Sequence, residues 1–527
     1  MDADYSIQSI HNCDLVNLED MLLNGTVIND KLVESPNSFL TACTVATQIM
    51  AQVASSQYGG QSIALKHLAP FIERSYRRYH DMLLNVISEP AELKTAINVL
   101  LEKEIRAGIQ TIRYQLSTLQ TTNGQSPFAT IYLEIDEDYG YVSEQAILVK
   151  EMLQQRIEGM KNYKGQEIAE AFPKLVYLLD EHNCLEGGKY DYLTELAAEC
   201  MAKRMVPDLQ SAKILRENYE GGTFPPMGCR SHLSPWYDEN GNQKWYGRFN
   251  QGVVSLNLPQ IGLLAKGDMD KFWKLLDARL ELCFEALMFR HKLLKGTKSD
   301  VAPILWQHGA LARLQPGETI DKLLVGGYST ISLGYVGVYE MVQAMLGVSH
   351  TTEKGREFAE AVMKHLKETV DRWKKETTIG FGLYGSPAES LQYRFARIDK
   401  AKFGEIKNVT DKLYYTNSYH VHVTEKIGAF DKLAFEAPFH SLSTGGCISY
   451  VEAPNLTGNL DAVKDLINYI YHNVQYAEMN TRPDLCYDCG YRGEIKTNEN
   501  LVWTCPACGN QDKSQMHVLR RTCGLTN

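Results

Sequence analysis

Four cysteines near the C-terminus have the spacing of a metal site. Cys486, Cys489, Cys505 and Cys508 form the pattern C-x2-C-x15-C-x2-C. Two such pairs offer four thiolates from two tight turns, an arrangement that suits the tetrahedral geometry of Zn²⁺. A glycine follows each pair, where a tight turn favours a residue without a side chain. Because four sulfur ligands leave no open position, the spacing predicts a structural zinc site rather than a catalytic one.

A further cysteine lies in a short segment rich in glycine and proline. Residues 221–232 read GGTFPPMGCRSH, with Cys229 near the end. This composition predicts a rigid loop that presents its cysteine, whereas core cysteines usually lie within helices or strands. Cys229 is therefore a candidate catalytic thiol, with an inert loop cysteine as the alternative. We assign no role to His232, which we interpret as a satisfied polar residue.

A glycine-rich segment precedes a candidate phosphate site. Residues 380–385 match G-x-G-x-x-G, but no Rossmann unit surrounds them. The next residues, SPAES, predict a helix start with Ser386 as N-cap and Pro387 at the first helical position. The free amides of such a start can bind a phosphate, although an ordinary capped helix is an equally good interpretation.

His420 and His422 alternate as residues of a strand do, so both imidazoles would share one face. No third ligand is near them in the sequence. A polar strand face is therefore favoured over a metal site.

Composition and charge exclude several classes of protein. The 527 residues are 44% hydrophobic and 22% charged, which is typical of a globular enzyme. The net charge of −10 argues against direct nucleic-acid binding, which needs many cationic side chains, but it permits a nucleotide substrate. We find no apolar run of the roughly 20 residues that a membrane helix needs. The acidic N-terminus lacks a signal-peptide pattern, so we expect a cytoplasmic protein.

The absence of a secretory signal also bears on the twelve cysteines, because it favours metal or catalytic roles over disulfides. Five cysteines lie in apolar or helical contexts and are interpreted as inert buried thiols. These are Cys43, Cys184, Cys200, Cys283 and Cys447.

Hydrophobic periodicity predicts alternating helices and strands, and therefore an α/β fold with largely parallel strands. Predicted helices cover 38–56, 91–120, 143–162, 269–294 and 354–376. Predicted strands cover 172–179, 252–258, 302–305, 329–333, 379–383, 418–423 and 446–451. Residues 1–478 are predicted to form one domain, closed as a barrel, and 479–527 a small zinc-binding domain. The apolar stripe of the helix at 38–56 could pack on the core or on a second subunit.

Taken in order, a series of segments resembles the anaerobic (class III) ribonucleoside-triphosphate reductases, which are oxygen-sensitive glycyl-radical enzymes. The resemblance covers nearly the whole chain and includes the zinc cysteines. The segments are 44–54, 122–128, 172–176, 226–231, 252–259, 332–335 and 415–418.

The resemblance implies a fold and a set of catalytic residues. The expected fold is a ten-stranded α/β barrel of two antiparallel halves, each with five parallel strands. A finger loop near 221–232 would carry the thiyl cysteine, Cys229, opposite a second cysteine, Cys13. Asn250 would hold the ribose hydroxyls. Gly524 would carry the radical, in R-T-C-G-L where the family has R-V-C-G-Y.

The resemblance also implies cofactors and partners. An iron–sulfur, S-adenosylmethionine-dependent activase would install the glycyl radical. Met227 occupies the position of a methionine found in the formate-dependent branch, so formate is the expected reductant. We expect a homodimer, with the helix at 38–56 at its interface and beside an effector-nucleotide site. Ribonucleoside triphosphates are the expected substrates. The expected substrate contacts are Ser386, Ala388, Glu389 and Ser390, and the expected effector contacts are Glu34 and Gln48.

The ends of the sequence are shorter than those of the family, so we expect a chain truncated at both ends. The radical loop stops three residues after Gly524. We therefore expect this chain to bind nucleotide but to need a complementing C-terminal polypeptide to hold a radical. Two alternatives are a different glycyl-radical enzyme, which the lack of an adjacent Cys-Cys pair disfavours, and a non-catalytic zinc-containing nucleotide-binding protein.

Overall fold

The computed structural model describes residues 9–119, 126–168, 170, 172–387, 390–499 and 502–518, together with the backbone of 521–522 and 525–526. Ten strands within these residues form one sheet. In chain order the strands are Asp14–Leu15 (β1), Gln61–Ala64 (β2), Ala129–Leu133 (β3), Lys174–Leu179 (β4), Asp208–Ser211 (β5), Arg248–Asn257 (β6), Thr330–Val336 (β7), Gly380–Tyr384 (β8), Ser449–Glu452 (β9) and Tyr476–Asn480 (β10). The spatial order is β8-β7-β6-β1-β2-β3-β4-β5-β10-β9.

The sheet consists of two parallel halves that meet at antiparallel seams. Strands β1 to β5 are all parallel to one another. In the other half β6, β7 and β8 are parallel, and so are β9 and β10. The seams are β1 with β6 and β5 with β10. A parallel bridge between Tyr384 and Gly446 joins β8 to the segment before β9. The sheet therefore closes into the predicted barrel of two five-stranded halves.

Helices cover the outside of the barrel because alternate residues of each strand face outwards. On β3, for example, Ile131 and Leu133 pack with the outer helices, whereas Tyr132 faces the interior. The helices are Leu18–Leu23 (α1), Phe39–Ala54 (α2), Ala69–Leu83 (α3), Pro90–Thr118 (α4), Val142–Glu158 (α5), Asp191–Arg204 (α6), Ala212–Asn218 (α7), Leu258–Ala265 (α8), Met269–Leu294 (α9), Pro303–Trp306 (α10), Val338–Leu346 (α11), Glu353–Thr377 (α12), Leu391–Phe403 (α13), Ala429–Leu442 (α14) and Leu460–Asn473 (α15). Within the described residues, none is both long and apolar enough to cross a bilayer.

Two predicted strands are wrong. Ala302 precedes the short helix α10 and residues 303–305 lie within it, because Pro303 has no amide hydrogen for a sheet and its fixed φ suits a first helical turn. Residues 418–423 form turns instead of a strand. There the ring of His420 contacts the carbonyl oxygens of Asn417 and Ile448, at 2.6 and 2.9 Å, so side-chain contacts take the place of a ladder. The other predicted strands and the predicted helices are confirmed within a few residues.

The apolar stripe of α2 packs inside its own chain. Phe39 and Cys43 lie against Gly108 of α4, where a Cβ would come within 2.5 and 2.9 Å of their side chains. Both stripe residues are fully buried. Of the two interpretations left open by the sequence, the structure therefore supports packing on the core, and the stripe does not supply a surface for a second subunit.

The finger loop enters the barrel next to Gly60, the residue that directly precedes β2. A Cβ on Gly60 would overlap both the Cα of Gly228, in the loop, and the ring of Phe128. The φ of Gly60 lies outside the left-handed region, so the requirement for glycine there is purely one of space.

We predict that Gly60→Ala displaces the finger loop. Overpacking of this kind costs about 1–3 kcal/mol of unfolding free energy. Denaturant unfolding should show this loss, and mass spectrometry should show faster alkylation of Cys229 as its loop becomes exposed. Gly458→Ala is the matched control, because a Cβ there meets nothing within 4 Å. Identical behaviour of the two variants would contradict the packing argument.

Candidate functional site

The finger loop ends in a tight hairpin that presents Cys229. Met227 N donates to Ser231 O (2.8 Å) and Ser231 N donates to Met227 O (3.2 Å). Gly228, Cys229 and Arg230 form the tip between them, and Gly228 adopts a φ of +57° that favours glycine. The tip sits in a hydrophobic cluster inside the barrel that includes Leu15, Tyr132, Val176, Leu178, Phe224, Met227 and Leu233. Cys229 itself is half-buried.

Side chains of neighbouring strands hold the backbone of this loop. Ser62 Oγ donates to Pro226 O (2.6 Å), and Thr130 Oγ1 donates to Gly228 O (3.2 Å). Ser62 and Thr130 are register partners on β2 and β3, so both side chains point into the barrel from one level. A loop buried without secondary structure needs such donors, because its carbonyl groups have lost water.

Cys13 lies beside the finger tip although it is distant in sequence. Its Sγ would be 3.4 Å from a Cβ placed on Gly228, the residue before Cys229. The amide of Gly60 donates to Cys13 Sγ at 3.3 Å. Cys13 is half-buried, like Cys229. The structure thus brings one thiol from the start of β1 next to the loop that carries the other.

Asn250 lies opposite Cys13 on the adjacent strand. The backbone N–H of Asn250 donates to Cys13 O at 2.8 Å, across the antiparallel seam. Directly opposed residues of such a pair place their side chains on the same face of the sheet. The buried side-chain amide of Asn250 donates from Nδ2 to Thr330 Oγ1 (3.1 Å) and Ser332 Oγ (2.9 Å). Its Oδ1 accepts from Asn12 Nδ2 (3.3 Å). These contacts fix the orientation of its side chain.

The predicted helix start at Ser386 is wrong. Helix α13 begins at Leu391, with the exposed Ser390 as its N-cap residue and no side-chain cap bond. Ser386 is buried, and its hydroxyl lies 3.3 Å from Ser255 Oγ of β6. The serine therefore contacts the barrel instead of capping a helix. Of the other expected substrate contacts, Ala388 and Glu389 lie outside the described residues.

The predicted effector contacts, the predicted radical glycine and the paired histidines do not lie together in one site. Glu34 and Gln48 are exposed, Gln48 on the outer face of α2. Gly524 lies outside the described residues. His420 and His422 lie in turns, and the described part of the chain contains no metal-type cluster that includes them. Burial lowers the pKa of His420 to about 4 and that of His232 to about 3, so both rings are neutral.

The four C-terminal cysteines form a site that fits zinc. All four sulfur atoms lie within 4.8 Å of one another. The Sγ–Sγ distance is 3.8 Å from Cys486 to Cys508 and 3.7 Å from Cys489 to Cys505. A tetrahedron with a Zn–S distance of about 2.3 Å has edges of about 3.8 Å. The donor set therefore matches the size and shape of a tetrahedral zinc ion.

Each cysteine pair is held by the same local turn. Gly490 N donates to Cys486 O, and Gly509 N donates to Cys505 O, both at 2.9 Å. The two glycines have φ values of +74° and +75°, so the turn requires a left-handed residue just after each pair. This confirms the role predicted for these glycines.

One carboxylate links the candidate zinc segment, residues 485–518, to the barrel. Glu167 forms ion pairs with Arg204, at the end of α6, and with Arg492 of the zinc segment (3.0 Å). Tyr487, next to Cys486, also donates its hydroxyl to Glu167 O. Burial alone would raise the pKa of Glu167, but hydrogen bonds from Arg492 and Arg204 outweigh this and lower it. The carboxylate is therefore ionised at neutral pH.

Sequence reasoning missed the residues that hold the finger loop. Ser62 and Thr130 are ordinary polar residues within apolar strands, and nothing local distinguishes them. It also missed Glu340, whose carboxylate accepts from Thr416 N (2.8 Å) and Thr416 Oγ1 (2.7 Å). Burial raises the pKa of Glu340 to about 7. The one available signal was a charged residue at the start of an apolar helix.

Solved structures with a similar barrel include an anaerobic ribonucleotide reductase and a dehydratase. The anaerobic ribonucleotide reductase of Thermotoga maritima, solved with dATP and CTP, superimposes with a TM-score of 0.70 at 17% identity, covering 99% of this chain and 82% of that one. Hydroxyproline dehydratase from Clostridioides difficile gives 0.53 at 12% identity, covering 85% and 62%. These likenesses establish the fold, which is the ribonucleotide reductase barrel.

Sequence comparison defines the family. The family model for anaerobic ribonucleoside-triphosphate reductase matches residues 1–527. The Escherichia coli K12 enzyme of that name is 42% identical over 535 residues, covering 99% of this chain and 73% of the relative. That of Enterobacteria phage T4 is 40% identical over 539 residues, covering 99% and 85%. The chain belongs to the anaerobic ribonucleoside-triphosphate reductases, oxidoreductases that reduce ribonucleoside triphosphates to deoxyribonucleoside triphosphates.

We predict one zinc ion per chain, lost when all four ligand cysteines are replaced by serine. Serine is a poor ligand for zinc at neutral pH, so the small domain should lose its fold while the barrel keeps its helical signal. Metal analysis by mass spectrometry and circular dichroism check the two parts. The matched control replaces Cys184, Cys200, Cys283 and Cys447, which lie outside the cluster. A quadruple ligand variant that still holds zinc would rule out the assignment.

Proposed function

We propose that the chain reduces ribonucleoside triphosphates by glycyl and thiyl radical chemistry, with formate as reductant. The observation that supports this most directly is the meeting of Cys13 and the Cys229 loop inside the barrel, with Asn250 across the strand seam. Two half-buried thiols beside a buried amide suit a reaction that needs hydrogen transfer on both faces of one sugar.

In this proposal the radical begins on Gly524. It takes a hydrogen atom from the thiol of Cys229, whose thiyl radical then takes the 3′-hydrogen of the ribose. The 2′-hydroxyl leaves as water while Cys13 supplies hydrogen to the opposite face, and the 3′-hydrogen is returned at the end. Asn250 orients the ribose hydroxyls. The barrel contributes positioning and the exclusion of water and oxygen, which are the usual tasks of a protein in radical chemistry.

Formate balances the reaction. One formate and one proton are consumed as the ribonucleotide becomes a deoxyribonucleotide, carbon dioxide and water, so formate supplies both electrons. Met227 supports this part of the proposal, because it occupies the position of a methionine found in the formate-dependent branch of the family. It is fully buried at the finger hairpin, directly before the tip glycine.

The proposal also includes nucleotide contacts and partners. Ser386, Ala388, Glu389 and Ser390 would bind the substrate triphosphate, with Ser386 reached from the barrel rather than from a helix start. Glu34 and Gln48 would contact an effector nucleotide, and their exposure is compatible with that role. The chain would act as a homodimer, and a partner that contacts α2 would meet its exposed outer face, because its apolar stripe is buried. An iron–sulfur activase that uses S-adenosylmethionine would generate the glycyl radical, and zinc would bind the four C-terminal cysteines.

We predict that Cys229→Ser and Cys13→Ser each abolish deoxynucleotide formation without unfolding the protein. Serine is close in size to cysteine, but its O–H bond is too strong for these hydrogen transfers. Conversion of CTP by activase-treated protein under strict anoxia, with and without a supplied C-terminal polypeptide and with thermal unfolding in parallel, measures both effects. Cys184→Ser is the control, because Cys184 is also half-buried but bonds to Asp180 O elsewhere. Turnover by either active-site variant would refute the assigned roles.

We predict that formate is consumed in equal amount with the nucleotide. Carbon-labelled formate should yield one labelled carbon dioxide per deoxynucleotide. Met227→Leu keeps the buried volume but removes the sulfur, and should reduce formate-dependent turnover while nucleotide binding stays unchanged. Met363→Leu, at another fully buried methionine, is its control. Full turnover with a dithiol and none with formate would contradict this prediction.

A further inference from the structure

A buried lysine donates to the backbone of the candidate thiyl cysteine. Lys174 Nζ lies 3.1 Å from Cys229 O, and the lysine side chain is 2% exposed. Lys174 begins β4 and is the register partner of Thr130 on β3. Because Thr130 is in turn the register partner of Ser62, the three residues form one row across three parallel strands. The row donates to three carbonyls of the finger loop, those of Pro226, Gly228 and Cys229.

Two further residues complete this contact. Asp208 of β5 pairs with Lys174, with Nζ and Oδ2 2.8 Å apart, and is fully buried. The hydroxyl of Tyr476, on β10, lies 2.8 Å from Asp208 Oδ2 and 3.3 Å from Cys229 O. Lys174 Nζ also lies over the Tyr476 ring, 5.4 Å from its centroid. Strands from both halves of the barrel therefore converge on one peptide group.

The cost of burying charged groups indicates that the cluster of Lys174, Asp208 and Tyr476 positions the finger loop and does not stabilise the fold. A buried ion pair loses hydration on both partners, and replacement by apolar residues is often neutral or stabilising. What the pair provides is direction, since the ammonium group has one donor for Asp208 and another for Cys229 O. A hydrogen transfer between sulfur and carbon is sensitive to such placement, because a displacement of about 1 Å can cost about 100-fold in rate.

We propose that Lys174, Asp208 and Tyr476 are positioning residues that hold the Cys229 peptide and so fix the place of its sulfur in the barrel. The inference rests on the proposed function of Cys229. None of the three residues is assigned a contact with the reacting atoms. They act through the backbone of Cys229.

Two variants test the proposal. Tyr476→Phe removes one hydroxyl and keeps the ring. Lys174→Met alone would leave Asp208 buried without its cation, which endangers folding, so it is combined with Asp208→Asn. We expect kcat for CTP reduction to fall about 10-fold in the first and about 100-fold in the second, with KM for CTP within about twofold of wild type. Tyr177→Phe is the matched control, since its buried hydroxyl contacts Thr194 on the outer side of β4.

A second measurement needs no turnover. The alkylation rate of Cys229 in protein that has not been activated, followed by mass spectrometry, should rise several-fold in the Lys174→Met/Asp208→Asn variant. The rate of Cys184 in the same molecules serves as the internal reference. A purely structural role would instead lower the unfolding temperature and change both thiols together.

The outcomes separate this inference from the function on which it rests. If Cys229→Ser keeps full activity, the proposed function fails, and this inference fails with it. If Cys229→Ser is inactive while both variants keep wild-type kcat and wild-type alkylation of Cys229, only the positioning role is overturned. A fall in kcat matched by Tyr177→Phe, or one accompanied by an equal rise in KM, overturns it as well.

Discussion

The close approach of two backbone segments inside the barrel determines where the chemistry can occur. Gly60 and Gly228 lie so near each other that a single added carbon on Gly60 would overlap the loop. Gly228 also needs its left-handed φ to turn the tip of the hairpin. Both thiols lie next to this contact. Cys13 accepts a hydrogen bond from the amide of Gly60, and Cys229 directly follows Gly228 in the chain. The position of both thiols therefore depends on two residues that have no side chain.

The loop and the barrel lining satisfy each other's hydrogen bonds. The interior of a small barrel is normally filled by apolar side chains, and polar residues there are costly unless they are paired. The finger loop has no regular secondary structure, so several of its carbonyls need donors from elsewhere. The row of Ser62, Thr130 and Lys174 supplies them at successive positions. The polar row and the buried loop therefore pair with each other, so the loop and the barrel lining form one hydrogen-bonded unit.

The sequence predicted what local patterns encode. The zinc cysteines are recognisable because their spacing and their following glycines act within a few residues. Strands such as β4 and β7 were found from short apolar runs. The wrong strand at 302–305 overlooked a local signal, the proline at 303. The wrong strand at 418–423 and the helix placed at Ser386 fall where contacts distant in sequence override local preference. The meeting of Cys13 with the finger tip depends on strand pairing across more than 200 residues, which no local pattern encodes, and only the family resemblance suggested it.

The zinc segment is tied both to the barrel and to the chain that follows it. Glu167 accepts from a guanidinium on each side of the boundary, and an ionised carboxylate shared by two arginines is a strong, directional contact. Beyond Cys508, Met516–His517 pairs antiparallel with Leu485–Cys486. Gly524 follows His517 by only seven residues. A metal ion at the four cysteines would therefore do more than stabilise a small domain. By fixing the strand to which residues 516–517 bind, it would set the point from which the segment carrying Gly524 departs. The ion pairs of Glu167 would in turn set that point relative to the barrel.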